Sequence, residues 1–358
     1  MHIERAEALG EPLEDPLLQF SILYGFWVDN LVAFNADVVH ELSVQFLALA
    51  EKQRATVPLM IGHRLLGVSL LLTGHIAEGR AHLDRAIALY DPMKHRRLAT
   101  RFGQNVGVAV WSHRSRAAWL LGYPEAALRD NDDALRDARE IGQAQTLMLA
   151  LLWSSWIHIW CGNYVTANAQ LDEEVALADE KGAPYWKAHG ITFQGCIFAM
   201  TGRASAAIQM TNSEIATLRS KESTQWLPSY LSHLAIAYSE IGQFAEAWRC
   251  IDEAVAAVET TKERWCEAEV HRTAGEIALM SPNPDAANAE AYFERTLAIA
   301  RVQQAKSWEL RAATSTASLW RDQSERQQAH DLLAPVYGWP SEGFDLKEAK
   351  TLLKELAR

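Results

Sequence analysis

The sequence predicts an all-α fold, a solenoid of about eight stacked helix pairs ending in a short capping helix, and three observations carry that expectation. Glycines recur at an interval of 40, at Gly162, Gly202 and Gly242. Small residues keep register with them: Ser155, Gly195 and Ala235 stand seven before each glycine, and Ala167, Ala207 and Ala247 five after. Apolar residues on either side fall at helical spacing, as in Leu227, Tyr230, Leu231, Leu234 and Tyr238, then Phe244, Trp248, Ile251, Val255 and Val258. A fixed period of this length with small residues in register marks stacked helix hairpins, none of which buries its apolar face alone.

The register has a physical sense. Gly242 can adopt the left-handed conformation that ends a first helix, which a residue with a Cβ adopts only at a cost. Ala235 and Ala247 sit where the two helices of the pair come closest, and a larger side chain there pushes the axes apart.

Composition narrows the function classes. A net charge of −11 over 358 residues opposes nonspecific binding to nucleic acid or an anionic membrane, since both need a basic face. No apolar run is long enough to span a bilayer, and the acidic start MHIERAEALGEPLEDP lacks a signal-peptide core, so the expected location is cytoplasmic. Cys161, Cys196, Cys250 and Cys266 include no C-x-x-C pair and read as core filler.

In chain order, residues 1–16 read as a poorly ordered lead-in with Gly10, Pro12 and Pro16, and 17–345 as the solenoid. The first unit is divergent, with Phe34 in the place of a turn glycine. The second turns on Gly74, with Gly67 seven before and Gly79 five after. About eight extra residues precede the third unit, within Asp91 to Asn105, and carry Lys94, His95, Arg96, Arg97 and Arg101. A solvated loop is the expectation there, an anion site the alternative. Units three to six turn on Gly122, Gly162, Gly202 and Gly242, the seventh near Ser281-Pro282-Asn283-Pro284, and the eighth at Ser324. Residues 346–358 form the capping helix, with a polar outer face. Trp186, Trp226, Trp265 and Trp308 stand sixteen before their turns. They read as wedges between units, with a stacking ladder for a ligand as the alternative.

The segments YDPMKHR (90–96), WLLGYPEAAL (119–128), AVETTKERW (257–265), AKSWELRAA (305–313) and LLAPVYGW (332–339) resemble the C-terminal tetratricopeptide-repeat region of bacterial multidomain proteins that pair a class III nucleotide cyclase domain with a predicted signalling ATPase. The resemblance covers nearly the whole chain. It implies a right-handed superhelical solenoid of tetratricopeptide-like pairs that serves signalling as a sensory or docking module. The family's catalytic parts have no counterpart here, because no G-x-x-x-x-G-K-[ST] phosphate loop occurs and there is no room for a cyclase domain. The stretch from Trp339 to Leu346 is shorter than the family's pattern.

No catalytic constellation emerges from the residues. His158 and Cys161 lie one helical turn apart, but a closed metal site needs three or four ligands. No metal, cofactor or enzyme activity is expected. The inner wall of such a superhelix is lined by first helices, and counting thirteen, ten, six and three back from the turns selects candidate groove residues. These are Arg64, Arg116, Trp119, Trp156, His189, Thr192, Ser229 and Ser232, with Cys196 among them. The expected function is a non-enzymatic scaffold that holds a protein or peptide segment, with a small-molecule sensor as the alternative. On these residues, Arg116→Glu is expected to weaken an acidic partner without unfolding the chain. At the N-terminal end Phe20, Leu23, Tyr24, Trp27 and Val28 are apolar over a wide arc, so a homodimer or partner contact through the first repeat is expected, with Trp27→Glu breaking it.

Overall fold

The computed structural model describes residues 17–337 and 344–357. Among these, eighteen α-helices and one 3-10 segment form a right-handed superhelix of eight antiparallel pairs, and there is no strand. In chain order the pairs are α1 (Leu18–Val32) and α2 (Ala36–Gln53); α3 (Thr56–Leu72) and α4 (Ile76–Ala88); α6 (Val106–Leu120) and α7 (Pro124–Ile141); α8 (Ala144–Trp160) and α9 (Tyr164–Glu180). There follow α10 (Pro184–Met200) and α11 (Ala204–Arg219); α12 (Leu227–Glu240) and α13 (Phe244–Thr261); α14 (Glu267–Met280) and α15 (Ala286–Val302); α16 (Lys306–Asp322) and α17 (Arg326–Tyr337). The short α5 (Pro92–His95) lies between the second and third pairs, and α18 (Phe344–Leu356) closes the chain. Among the described residues no helix is long and apolar enough to cross a membrane. The lead-in 1–16 and most of the shortened stretch after Trp339 lie outside the described residues.

The turn register holds even where the glycine is lost. Gly74, Gly122, Gly162, Gly202 and Gly242 all take positive φ, and so do Phe34 (φ 40) and Ser324 (φ 70) at the matching positions of the first and last units. The seventh unit departs: its bend ends on Asp285, whose carboxylate caps α15 by accepting from the Asn288 amide at 3.0 Å. The small residues mark true close approaches. A Cβ on Gly79 would lie 2.7 Å from the Gly67 carbonyl oxygen, and one on Gly195 would lie 2.4 Å from Thr211 Oγ1. Ser155, Ala167, Ala207, Ala235 and Ala247 are fully or almost fully buried.

The insertion before α6 is folded onto the protein. Lys94 pairs with Asp91 at 2.9 Å, Arg96 with Glu140 at 2.6 Å, and Arg101 Nε donates to Ser21 Oγ at 2.8 Å. Phe102 is buried edge-on against Tyr24 of α1, with centroids 5.2 Å apart.

The apolar face of α1 is covered from within. Phe20 packs on Phe46 at 4.9 Å, and Trp27 is buried with its Nε1 donating to Ser43 Oγ at 2.9 Å. This corrects the expectation that Trp27 faces outward, so Trp27→Glu acts on folding. The apolar residues that α1 does expose are Leu18, Ile22 and Phe26, one stripe at helical spacing.

The superhelix closes on itself after five units. The amides of Thr224 and Gln225, at the start of the sixth unit, donate to the Val32 carbonyl of the first at 3.1 and 3.2 Å. Those of Arg264 and Trp265, at the start of the seventh, donate to Leu72 of the second at 2.9 and 3.2 Å. At the eighth, Ser307 Oγ donates to the Trp119 carbonyl of the third. The bonds to Val32 and Leu72 satisfy carbonyls that a helix C-terminus leaves without an intrahelical partner, while the Trp119 carbonyl also accepts from the Gly122 amide at 2.9 Å.

Candidate ligand-binding cavity

Closure brings first helices face to face across the superhelical axis, and large side chains fill the bore. Trp119 stacks on Trp160 at 4.4 Å and meets Trp308 at 4.9 Å; Trp156 lies on Phe193 at 4.2 Å; Trp153 meets Trp226 at 4.7 Å. Of the tryptophan register, Trp226, Trp265 and Trp308 are therefore buried against rings of earlier units, whereas Trp186 is only half-buried.

Arg116 sits at the centre of this column. Its Cζ lies 4.1, 4.9 and 5.4 Å from the ring centroids of Trp226, Trp153 and Trp265. Its Nε and Nη2 have no hydrogen-bond partner, and burial lowers its pKa to about 9 although Glu263 works the other way. Glu263 is itself fully buried, accepting from the Trp226 amide at 2.9 Å and from Trp265 Nε1 at 2.7 Å. Burial nonetheless pushes its carboxyl up to about 7, against those donors and Arg116.

The eight groove residues expected from the sequence divide between this column and its open end. Arg64, Arg116, Trp119, Trp156, His189 and Thr192 are all buried in the filled part. Arg64 Nη1 reaches Tyr24 Oη at 3.4 Å, His189 Nδ1 lies 2.6 Å from Tyr230 Oη, and Thr192 Oγ1 donates to the Ala188 carbonyl at 2.7 Å. Cys196 is buried with them. With Arg116 enclosed by three tryptophans, Arg116→Glu acts on folding rather than on a partner at the surface, a correction to the sequence reading. Ser229 and Ser232 alone of the eight border open space.

That space is a cavity of about 590 Å³ set mainly in the last three units, with Trp160, Tyr164 and Met200 of the fourth and fifth at its edge. Trp160, Trp265 and Trp308 form its aromatic wall, while α12 contributes Ser229, Ser232, His233 and Ile236. From α14 come Glu269, Arg272 and Glu276, from α16 Arg311, Thr314, Ser315 and Ser318, and from α18 Asp345 and Glu348. The bore opens here because lining residues are short: Ser315 and Ser318 stand nine and six before the turn of the eighth unit, where Trp153 and Trp156 stand in the fourth.

A charged network forms the floor. Glu269 accepts from Arg272 Nε at 2.8 Å and Nη2 at 3.0 Å, and from Arg311 Nη1 at 3.3 Å. Arg272 Nη1 also donates to Glu276 Oε1 at 3.0 Å, and Arg311 Nε to Asp345 Oδ1 at 3.0 Å. Arg311 Nη2 reaches back to the Trp160 carbonyl at 3.2 Å, which ties the eighth unit to the fourth. Burial works to raise the Glu269 pKa, but Arg272 and Arg311 outweigh it and hold the group below the ordinary carboxylate value. At Asp345 burial outweighs Arg311, whose charge is shared with Glu269, and the carboxyl stays above its ordinary value.

Glu269, Arg272 and Arg311 are not among the eight expected residues, yet the same inner-wall register reaches them. Taken from Pro282 it reaches Glu269, Arg272, Glu276 and Leu279, and taken from Ser324 it reaches Arg311, Thr314, Ser318 and Arg321; all but Arg321 line the cavity. Asp345, on the capping helix, lies beyond any such count.

No protein-family model matches the sequence, and no curated protein matches it. Solved structures do. A Rap protein complexed with Competence and Sporulation Factor aligns over 99% of this chain and 92% of its own at TM-score 0.64 and 12% identity. The Rap conjugation gene regulator of plasmid pLS20, in complex with the Phr* peptide, aligns over 94% and 95% at TM-score 0.55 and 10% identity. The apo quorum sensor NprR from B. thuringiensis aligns over 94% and 92% at TM-score 0.53 and 14% identity. The likeness is one of fold. It makes the chain a tetratricopeptide-like helical solenoid, and at such identities it says nothing by itself of the ligand.

Proposed function

We propose that this chain is a regulatory module of a bacterial signalling system that binds a short peptide or protein segment in the cavity between α12, α14, α16 and α18, and that it acts by binding rather than catalysis. The observation that carries the reading is the cavity itself. Its volume of about 590 Å³ lies within the range of ligand pockets, roughly 300–1,000 Å³, and it joins an aromatic wall to short hydroxyl side chains and a fixed charge network. Such a lining suits a peptide, whose backbone offers donors and acceptors while its side chains offer apolar surface.

Two proteins of the same fold are described as bound to Competence and Sporulation Factor and to the Phr* peptide, which supports a peptide over other ligands. The resemblance of the sequence to the repeat region of cyclase and signalling-ATPase proteins supports a signalling role in the bacterial cytoplasm. In this reading Ser229 and Ser232 meet the ligand, whereas Arg64, Arg116, Trp119, Trp156, His189 and Thr192 hold the bore shut beneath it. A metabolite sensor is the second reading, favoured by a cavity volume that suits a small molecule as well.

The test is mass spectrometry of peptides retained from a size-filtered cell extract by the full chain and by a Ser318→Trp variant, in which an indole fills the cavity. Peptides enriched by the wild type and lost in the variant support the reading. Equal retention by both, or none by the wild type, overturns it.

A further inference from the structure

The charges around the cavity do not balance. Carboxylates of Glu269, Glu276, Asp322, Asp345 and Glu348 line it, against the guanidiniums of Arg272 and Arg311. His233 adds no charge at neutral pH, since burial keeps its imidazole below the ordinary value and its Nδ1 faces the Ser229 carbonyl at 2.8 Å.

The charges of the two arginines are also already engaged by carboxylates of the same lining. Every nitrogen of Arg272 donates to Glu269, Glu276 or Ser315, and every nitrogen of Arg311 donates to Asp345, Glu269 or the Trp160 carbonyl. A carboxylate or phosphate entering the cavity would meet guanidiniums whose charge is already shared with Glu269, Glu276 and Asp345, and would face the acids that remain in excess. The carboxylates are less fully engaged. Glu276 accepts only through Oε1 and Asp345 only through Oδ1, while Glu348 makes no hydrogen bond or ion pair among the described residues. The same lining includes Trp160, Trp265 and Trp308, and an aromatic ring attracts a cation held within about 6 Å of its face. Arg311 already uses this attraction, with Cζ 5.1 Å from the rings of both Trp119 and Trp308.

We infer that the cavity selects its ligand by a positive charge: an ammonium or guanidinium group of the bound peptide enters between Glu276, Asp345 and Glu348 and lies against the tryptophan wall. The inference rests on the peptide reading of this cavity and adds the chemistry by which a peptide is chosen.

The experiment is equilibrium dialysis of the full chain against labelled pools of N-acetylated, C-amidated pentapeptides. One pool carries lysine and arginine, one aspartate and glutamate, one no charge, and putrescine serves as a fourth ligand. The basic pool is expected to bind at least about tenfold tighter than the other two, a preference set by charge repulsion as much as attraction. Its affinity should fall as salt rises, and Glu348→Gln, at an exposed position, should weaken it roughly fivefold with an unchanged Tm. Equal binding of the three pools, or wild-type affinity in Glu348→Gln, overturns the cation inference and leaves the peptide reading standing. Putrescine binding without any peptide pool supports the cation inference and overturns the peptide reading. Absence of binding by all four overturns both.

Discussion

The amide of Arg264 donates to the carbonyl oxygen of Leu72 at 2.9 Å, joining the seventh helix pair to the second. The bond fixes five units as one superhelical turn, and with it the position of everything that lines the axis. Gly74, two residues after Leu72, feels the joint directly: a Cβ there would lie 2.9 Å from Gln303 Nε2 and 3.3 Å from Arg264 Cβ, whereas one on Gly242 would meet nothing within 4 Å.

The two glycines should therefore respond differently to the same change. Both have positive φ, so alanine at either carries a backbone cost of about 1–2 kcal/mol. Gly242→Ala is expected to cost that and no more, while Gly74→Ala adds the displacement of the seventh unit, roughly another 1 kcal/mol. Urea unfolding of the two variants measures the difference, and equal destabilisation would show that the joint bears no energy.

Arg116 gives the second prediction. Its guanidinium is fully buried with two nitrogens lacking partners, and it compensates the buried carboxyl of Glu263. Replacing both groups of such a pair by uncharged ones is often neutral, so Arg116→Met with Glu263→Gln should leave stability within about 1 kcal/mol of wild type or raise it. Arg116→Glu instead buries a second carboxylate in the same core as Glu263 and should destabilise by roughly 3–5 kcal/mol. Thermal unfolding of both variants separates this account from one in which Arg116 is a surface recognition residue, where neither change would move Tm.

The solenoid and the location of its cavity differed in how far they could be read from the residues. Helix pairs, turn register and close approaches follow from Gly162, Gly202, Gly242 and the small residues around them, because each is a local requirement of one hairpin. Even the lining follows, once the inner-wall register is carried past the sixth unit to Glu269 and Arg311. What no local pattern contains is the rotation from one unit to the next. That rotation accumulates until the start of the sixth unit meets Val32, and only this meeting puts Trp226, Trp265 and Trp308 into the bore and closes it over Arg64, Arg116 and His189. The partnership of Asp345 with Arg311 depends on the same long-range geometry.

Glu174 supplies a pH dependence. It is fully buried with neither carboxyl oxygen partnered, lodged in a space that a Cβ on Gly190 would occupy at 2.0 Å. Burial pushes its pKa from an ordinary 4.5 up to about 9. The folded state thus holds a proton that the unfolded state releases first, so the contribution is complete below pH 4.5 and is lost as pH rises towards 9. Glu263 acts in the same sense, but only up to about 7. His189, lowered to about 3 by burial, acts in the opposite sense and only below its ordinary 6.5. Between pH 7 and 9 the fall in stability should belong mainly to Glu174. Denaturation at a series of pH values should show Glu174→Gln nearly flat across that window while the wild type declines; parallel curves would refute the assignment.

The measurement closest to the central claim is hydrogen–deuterium exchange of the full chain with and without the basic pentapeptide pool. If the ligand occupies the cavity at the open end of the bore, protection rises in α12, α14, α16 and α18 and is unchanged in α3 and α6. Protection confined to α3 and α6, the helices of Arg64 and Arg116, with α14 and α16 unaffected, would contradict the account.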